Sequence, residues 1–325
     1  MKALILIAGG STLVYAILAV LMGVLPGIEL SKTPPGPGVK PLTPLQADGR
    51  DVYVANGCSY CHTQQVRPLP EDRPFGRPTA AGDLAYQTPE LLGSERNGPD
   101  LSDIGTRQPS EVWQYMHLYD PRSVMPQSIM PDFSFLFRVV PKAPAGVTPV
   151  ALPAAYEPKN GVVIPTQKAI ALVAYLMSLK QPPIPGYQPP APAAPPTSPA
   201  AAAAGGAPAA APAFDAAEGA QLFAQNCAVC HQANGEGIPN AFPPLKGNAA
   251  VLNDDPTQQL HVILEGLSNT NIGGTVYPGA MPPFKTVLSD HQIANIVDHE
   301  RTSWGNNAKL VTPAEVAAER AKVKD

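Results

Sequence analysis

The chain has 325 residues and a formal net charge of -4, from 22 basic and 26 acidic side chains. That length suits two modest domains, since single domains usually run to about 100–200 residues, and the charge balance supplies no global basic field that would point to nucleic acid. Forty-one prolines and 27 glycines predict long stretches of loop or extended linker.

From Ala3 to Leu25 there are 23 residues without a charge, which as a helix would extend about 34 Å, enough to cross a bilayer. Lys2 before an apolar run also suits a cleaved signal peptide. The run is longer than the usual apolar core of such peptides, about 7–15 residues, and lacks a small-x-small cleavage site. Residues 1–28 are therefore expected to be a retained transmembrane anchor with its short end in the cytoplasm.

Residues 29–44, rich in proline and glycine, read as a stalk. A first globular unit is expected over 45–180. Its closing helix is marked by Ile170, Val173, Ala174 and Met177 at helical spacing, with few strand signals before it. Residues 181–213 collapse to proline, alanine and glycine, with Pro189-Pro190 and Pro195-Pro196 favouring extended polyproline. This linker could reach on the order of 100 Å at about 3.1 Å per residue.

A second unit is expected over 214–306, on the plan of the first. Each begins with a helix bearing a glycine and an aromatic residue four positions on, Gly49 to Tyr53 and Gly219 to Phe223, and each ends in an amphipathic helix. In the second, Ile293, Ile296 and Val297 follow a Ser289 or Asp290 cap. The tail, 307–325, has capping-box spacing in Thr312-Pro313-Ala314-Glu315 and reads as a solvated surface helix.

All four cysteines fall in C-x-x-C pairs followed by histidine: Cys58-Ser59-Tyr60-Cys61-His62 and Cys227-Ala228-Val229-Cys230-His231. The histidine selects a chemistry in which two thiols add to the vinyl groups of a haem and the imidazole becomes the proximal iron ligand. Two covalently attached haem c groups are expected. A single zinc site would have to join pairs 169 residues apart and would leave both histidines unexplained. No catalytic acid, base or nucleophile is called for.

An electron-transferring haem needs a second axial ligand, and a thioether raises the iron potential. In the second unit Met281, in Gly279-Ala280-Met281-Pro282-Pro283, is the only methionine available. His261, His291 and His299 compete, the latter two on the closing helix as surface or packing residues. The first unit offers Met116, Met125, Met130 and Met177. Met116 and Met177 read as core, Met125 and Met130 each precede proline, and His117 is a further alternative. Arg67 follows the first motif closely enough to pair with a haem propionate.

Residues 41–131 carry a resemblance. Pro41-Leu42-Thr43-Pro44-Leu45, Gly49-Arg50-Asp51-Val52-Tyr53 and Gly57-Cys58-Ser59-Tyr60-Cys61-His62-Thr63-Gln64-Gln65-Val66-Arg67-Pro68 are similar to the haem-bearing subunit II of cbb3-type cytochrome c oxidases. So are Leu92-Gly93-Ser94-Glu95-Arg96-Asn97-Gly98-Pro99-Asp100-Leu101, Asp120-Pro121-Arg122-Ser123-Val124 and Ser128-Ile129-Met130-Pro131. The resemblance covers about residues 1–180 and implies Met130, rather than Met125, as the axial ligand. Residues 214–306 resemble class I cytochrome c through Gly219-x-x-x-Phe223, Pro243-Pro244-Leu245-Lys246-Gly247 and Trp304-Gly305-Asn306. His299 stands where that family commonly has an aromatic residue. The Asp72–Asp83 segment and the Val139–Pro165 insertion depart from the subunit II pattern, and that family usually has one haem and no second unit.

The fold class expected is mainly α: one N-terminal transmembrane helix and two cytochrome c domains joined by a Pro/Ala-rich linker. The resemblance implies an electron-relay subunit of a cbb3-type oxidase, not an enzyme by itself. It implies a haem-copper catalytic subunit as partner, a donor cytochrome c or quinol-oxidising complex, and single-pass placement in a bacterial cytoplasmic membrane with the haem domains outside. The second domain is expected to accept electrons and swing on its tether to the first haem. That would take the place of a separate dihaem subunit. The rivals are a relay subunit of another membrane complex, such as a nitric oxide reductase, and a haem peroxidase, which needs an open sixth iron position.

Overall fold

The computed structural model describes residues 2–87, 89–184 and 214–323. It is mainly helical, with two short antiparallel strand pairs among the described residues. The 181–213 linker lies largely outside the described residues.

Helix α1 runs from Lys2 to Ser31, is exposed throughout, and is long and apolar enough to cross a membrane. It includes a π-helical turn at Val20–Val24, in which the Leu25 N–H donates to the Val20 carbonyl five residues back. The next residue, Pro26, has no N–H to give, and a widened turn beside a proline is a usual way for a helix to absorb that loss. The helix takes in residues 29–31 of the expected stalk. The rest of the stalk is tied to the first unit, where the Gly36 N–H donates to Gly82 O at 3.0 Å.

In the first unit, α2 (Pro44–Ala55) starts at a complete capping box. Thr43 Oγ1 accepts from the Gln46 N–H and the Gln46 side chain accepts from the Thr43 N–H. After α3 (Cys58–Cys61), a long irregular stretch leads to α4 (Ile104–Arg107) and α5 (Glu111–Tyr119). Strands β1 (Phe137–Val140) and β2 (Val162–Pro165) pair antiparallel, with Val139 opposite Val163. They bound the Val139–Pro165 insertion, where few strand signals are expected; Val163 and Ile164 are buried in the core, whereas Val139 is exposed.

Helix α6 (Gln167–Ser178) closes the unit by crossing α2. Any Cβ on Gly49 would stand 1.9 Å from Ala171 O, so only glycine allows this approach. Around the crossing lie Tyr53, Met116, Leu172, Tyr175 and Leu176, all buried.

The second unit repeats the arrangement. Helix α7 (Ala216–Asn226) precedes α8 (Ala228–His231), then come α9 (Ala249–Leu252), α10 (Thr257–Glu265), the β3–β4 pair (Thr270–Ile272 with Thr275–Tyr277) and α11 (Asp290–Thr302). Helix α11 is capped by Ser289 in a second capping box and crosses α7 at Gly219, whose Cβ would meet Asn295 O at 2.4 Å. Thr312 caps α12 (Pro313–Arg320) as its spacing predicts. The helix is less solvated than expected. Val316 is fully buried and Arg320 Nε meets Asp290 Oδ1 at 2.7 Å, so α12 completes the second core.

The second unit sits against the first. Val229, Cys230, Ile238, Ala241 and Phe242 belong to the same apolar cluster as the first unit's core.

Candidate functional site

Each C-x-x-C-H motif is set by the helix before it and by the carbonyl that receives its histidine. Gly57, with φ of 70°, turns the chain from α2 into α3. Tyr53 Oη donates to His62 O at 3.0 Å, and Tyr175 Oη reaches Gln64 Oε1 at 2.9 Å, so the α2–α6 core grips both ends of the motif's exit. His62 Nδ1 lies 2.9 Å from Pro99 O, and His231 Nδ1 lies 2.9 Å from Pro243 O. A ring whose Nδ1–H donates to a backbone carbonyl keeps Nε2 unprotonated as the coordinating nitrogen, and the carbonyl fixes the ring's orientation. Burial lowers both histidine pKa values, which favours the neutral form that binds iron.

The loop that carries Pro99 is bound edge to edge to the motif. Glu95 N–H donates to Tyr60 O, Gly98 N–H to Cys61 O and Leu101 N–H to Thr63 O, at 2.9, 3.1 and 2.9 Å. Asp100 caps it, accepting from the Gln65 and Ser102 N–H groups, and Arg107 donates to its carbonyl. Gly98 lies over the His62 ring so closely that a Cβ would meet Cε1 at 2.2 Å.

In the second unit, Trp304 Nε1 donates to Ala233 O, and Asn306 ties Gly247 N, Leu245 O and Glu300 O together. His299 packs on Phe223 and Trp304 at 5.1 and 5.5 Å.

Both motifs open into one cavity of about 1850 Å³. Ordinary ligand pockets are about 300–1,000 Å³, so this space suits more than one large planar group. Cys58, Cys61, His62, Arg67, Met125 and Met130 line it from the first unit, with Cys227, Cys230, His231 and Met281 from the second. No disulfide joins these cysteines, and burial raises the pKa of the Cys58 thiol to about 11 and of the Cys230 thiol to about 12. Among the described residues no three His, Cys, Asp or Glu side chains gather as a metal cage. The donor set instead fits haem c: two thiols and one oriented imidazole per motif, an apolar chamber beside them, and thioethers on its wall.

Met281 is held by a two-way backbone pair with Leu267, at 2.7 and 3.1 Å, and packs on the second core. His261, His291 and His299 do not line the cavity; His261 and His291 face Glu319 and Glu218 instead. In the first unit Met130 packs against the core, whereas Met125 is 45% exposed. Met116 is fully buried and Met177 partly so, both in the core as expected. His117 also lines the cavity, stacked on Trp113 at 4.5 Å, and burial lowers its pKa to about 4.

Arg67 reaches the cavity with its guanidinium already forked onto Asp72, both contacts at 2.8 Å, and Arg96 joins the same carboxylate at 3.2 Å. These partners hold the Asp72 carboxyl well below the usual range. Asp72 lies in the segment that departs from the resemblance, and nothing in its spacing marks it as Arg67's partner. Glu300 was likewise hidden: a helix position with no motif, it is buried on the cavity wall, bonded by Gln259 Nε2 at 2.7 Å, with its pKa pushed up to about 7 by burial.

The profile of the cytochrome c oxidase mono-haem subunit/FixO family matches residues 2–148, and that of the cytochrome c family matches residues 216–304. Cytochrome c-552 of Thermus thermophilus is 38% identical over 133 residues, covering 34% of this chain and 88% of that protein. Cytochrome c6 of Leptolyngbya boryana is 40% identical over 94 residues, covering 28% of this chain and 99% of its own length. The cytochrome c subunit of alcohol dehydrogenase (quinone) from Gluconobacter oxydans (strain 621H) is 45% identical over 92 residues, 28% of this chain. The chain spans about a fifth of that last relative, 19% of its length. It therefore belongs to the cytochrome c family, as a fusion of a FixO-type domain over residues 2–148 with a class I cytochrome c domain over residues 216–304.

Proposed function

We propose that the chain is a dihaem electron-transfer subunit of a cbb3-type terminal cytochrome c oxidase. It passes electrons from a donor cytochrome or quinol-oxidising complex to a haem-copper catalytic subunit. Cys58 and Cys61 would attach one haem, with His62 and Met130 as its iron ligands; Cys227 and Cys230 would attach the other, with His231 and Met281. Haem c supplies the reversible one-electron chemistry, and the protein supplies ligation, burial and docking. Arg67, oriented by Asp72, lines the cavity and would pair with a haem propionate. The anchor holds both domains, here taken as 45–180 and 214–306, on the outer face of the cytoplasmic membrane.

The observation that carries this reading is the FixO match over residues 2–148, which includes both the apolar helix α1 and the His62–Met130 site. The measurement is oxygen consumption by the complex purified from membranes through this chain. Cyanide-sensitive oxidation of reduced cytochrome c, with b-type haems co-purifying and no separate dihaem subunit bound, is expected. Two low-spin c haems with no catalytic partner would instead mark a free-standing membrane carrier.

A further inference from the structure

The two motifs are not in separate pockets. Val229 and Cys230, the outer edge of the second motif, pack into the first unit's apolar cluster together with Ile238 and Phe242. Gln108, which caps α4 in the first unit, lines the same cavity as Cys230. Undocking would return this apolar surface to water. It would also open the chamber that both motifs share.

We propose that the two units work as a docked pair, with Gln108 and the Val229–Cys230 edge as the contact, and that electrons cross between the two sites without release of the second unit. One electron leaves one site, which is oxidised, and reduces the other; no bond or proton changes place. The inference rests on the two-haem reading above and replaces a tethered swing by a fixed contact. A swing is a diffusive motion, slowed by solvent viscosity and by a longer tether, which lowers the effective concentration of one unit at the other. A docked pair responds to neither.

The test uses the full chain purified in its complex, with haem staining and optical spectra establishing how many c haems each chain carries. After rapid one-electron reduction, the rate of equilibration between the two haems is followed across a glycerol series and in a variant whose 181–213 segment is doubled. The docked pair predicts rates unchanged within about twofold. Rates that fall in proportion to viscosity, or with linker length, would overturn it. Gln108→Trp, read together with haem content, is expected to slow equilibration at least tenfold by wedging the contact, and an unchanged rate would count against the proposal. A chain bearing one haem would instead bring down the two-haem reading, and the docked pair with it.

Discussion

In the first unit the carbonyl that orients the histidine comes from Pro99, 37 residues beyond His62; in the second it comes from Pro243, 12 residues beyond His231. The short return needs only local turns and the Trp304 and Asn306 ties. The long return is held by side chains: Asp100 on two backbone N–H groups, Arg107 on the Asp100 carbonyl, and Asp72 between Arg67 and Arg96. One histidine–carbonyl geometry is thus reached by two routes, one resting on a short return tied down by Trp304 and Asn306 and the other on a network of charge-assisted hydrogen bonds. What the two share is the helix crossing behind the motif, where a glycine meets a carbonyl.

The all-or-none way to break the comparison is at the axial strap. Met281→Ala and Met130→Ala should each abolish the methionine-to-iron charge-transfer absorption of their own haem and lower its midpoint potential, whereas Met125→Ala should do neither. Redox titration with near-infrared spectra checks this, and an effect of Met125 equal to that of Met130 would reassign the first ligand.

At the shared crossings, Gly49→Ala and Gly219→Ala should each cost about 3 kcal/mol or more, because the added Cβ meets backbone rather than a side chain that can turn away. Gly49 should be the worse, its Cβ falling 1.9 Å from Ala171 O against 2.4 Å from Asn295 O for Gly219. Thermal unfolding followed at each haem separates the two units.

The second unit should show an inverted acid response. Burial pushes Glu300 up to about 7 and Asp298 up to about 6, from ordinary values of 4.5 and 3.8. A carboxyl whose folded-state pKa is raised binds its proton more tightly when folded, so stability falls as pH rises from about 4.5 to 7. Glu300→Gln should flatten that fall by about 2–3 kcal/mol, measured by denaturant titration across the interval. A wild-type slope left unchanged by the substitution would place the effect elsewhere.

The smallest effects are expected at the capping boxes. Thr43→Ala in the first unit and Ser289→Ala in the second should each cost about 1 kcal/mol, and nearly the same amount, since each removes one acceptor from one helix start. Matched denaturation curves test the equality.

The features legible in sequence were those that chemistry confines to a few spacings. The C-x-x-C-H motifs, the Gly49/Tyr53 and Gly219/Phe223 pairs, the caps at Ser289 and Thr312, and the apolar N-terminal run all appear where periodicity and spacing put them. Besides Glu300, three things escaped. The β1–β2 pair lay hidden in an insertion whose prolines outweighed its Val-Val-Ile run. The Asp72–Arg67–Arg96 cluster depends on chain positions 5 and 24 residues apart that no period relates. The contact between the units arises from two surfaces each of which, read alone, is an ordinary half-buried edge.

Helix α1 has 30 residues, about 45 Å of helix at about 1.5 Å per residue, against about 30 Å of hydrocarbon in a bilayer. Set upright, it leaves some 15 Å of rigid post above the hydrocarbon. The segment after it is fastened to the body at Gly82, so the post ends on a bracket rather than a hinge. Were α1 to span a bilayer, the first domain would ride at a set height above it.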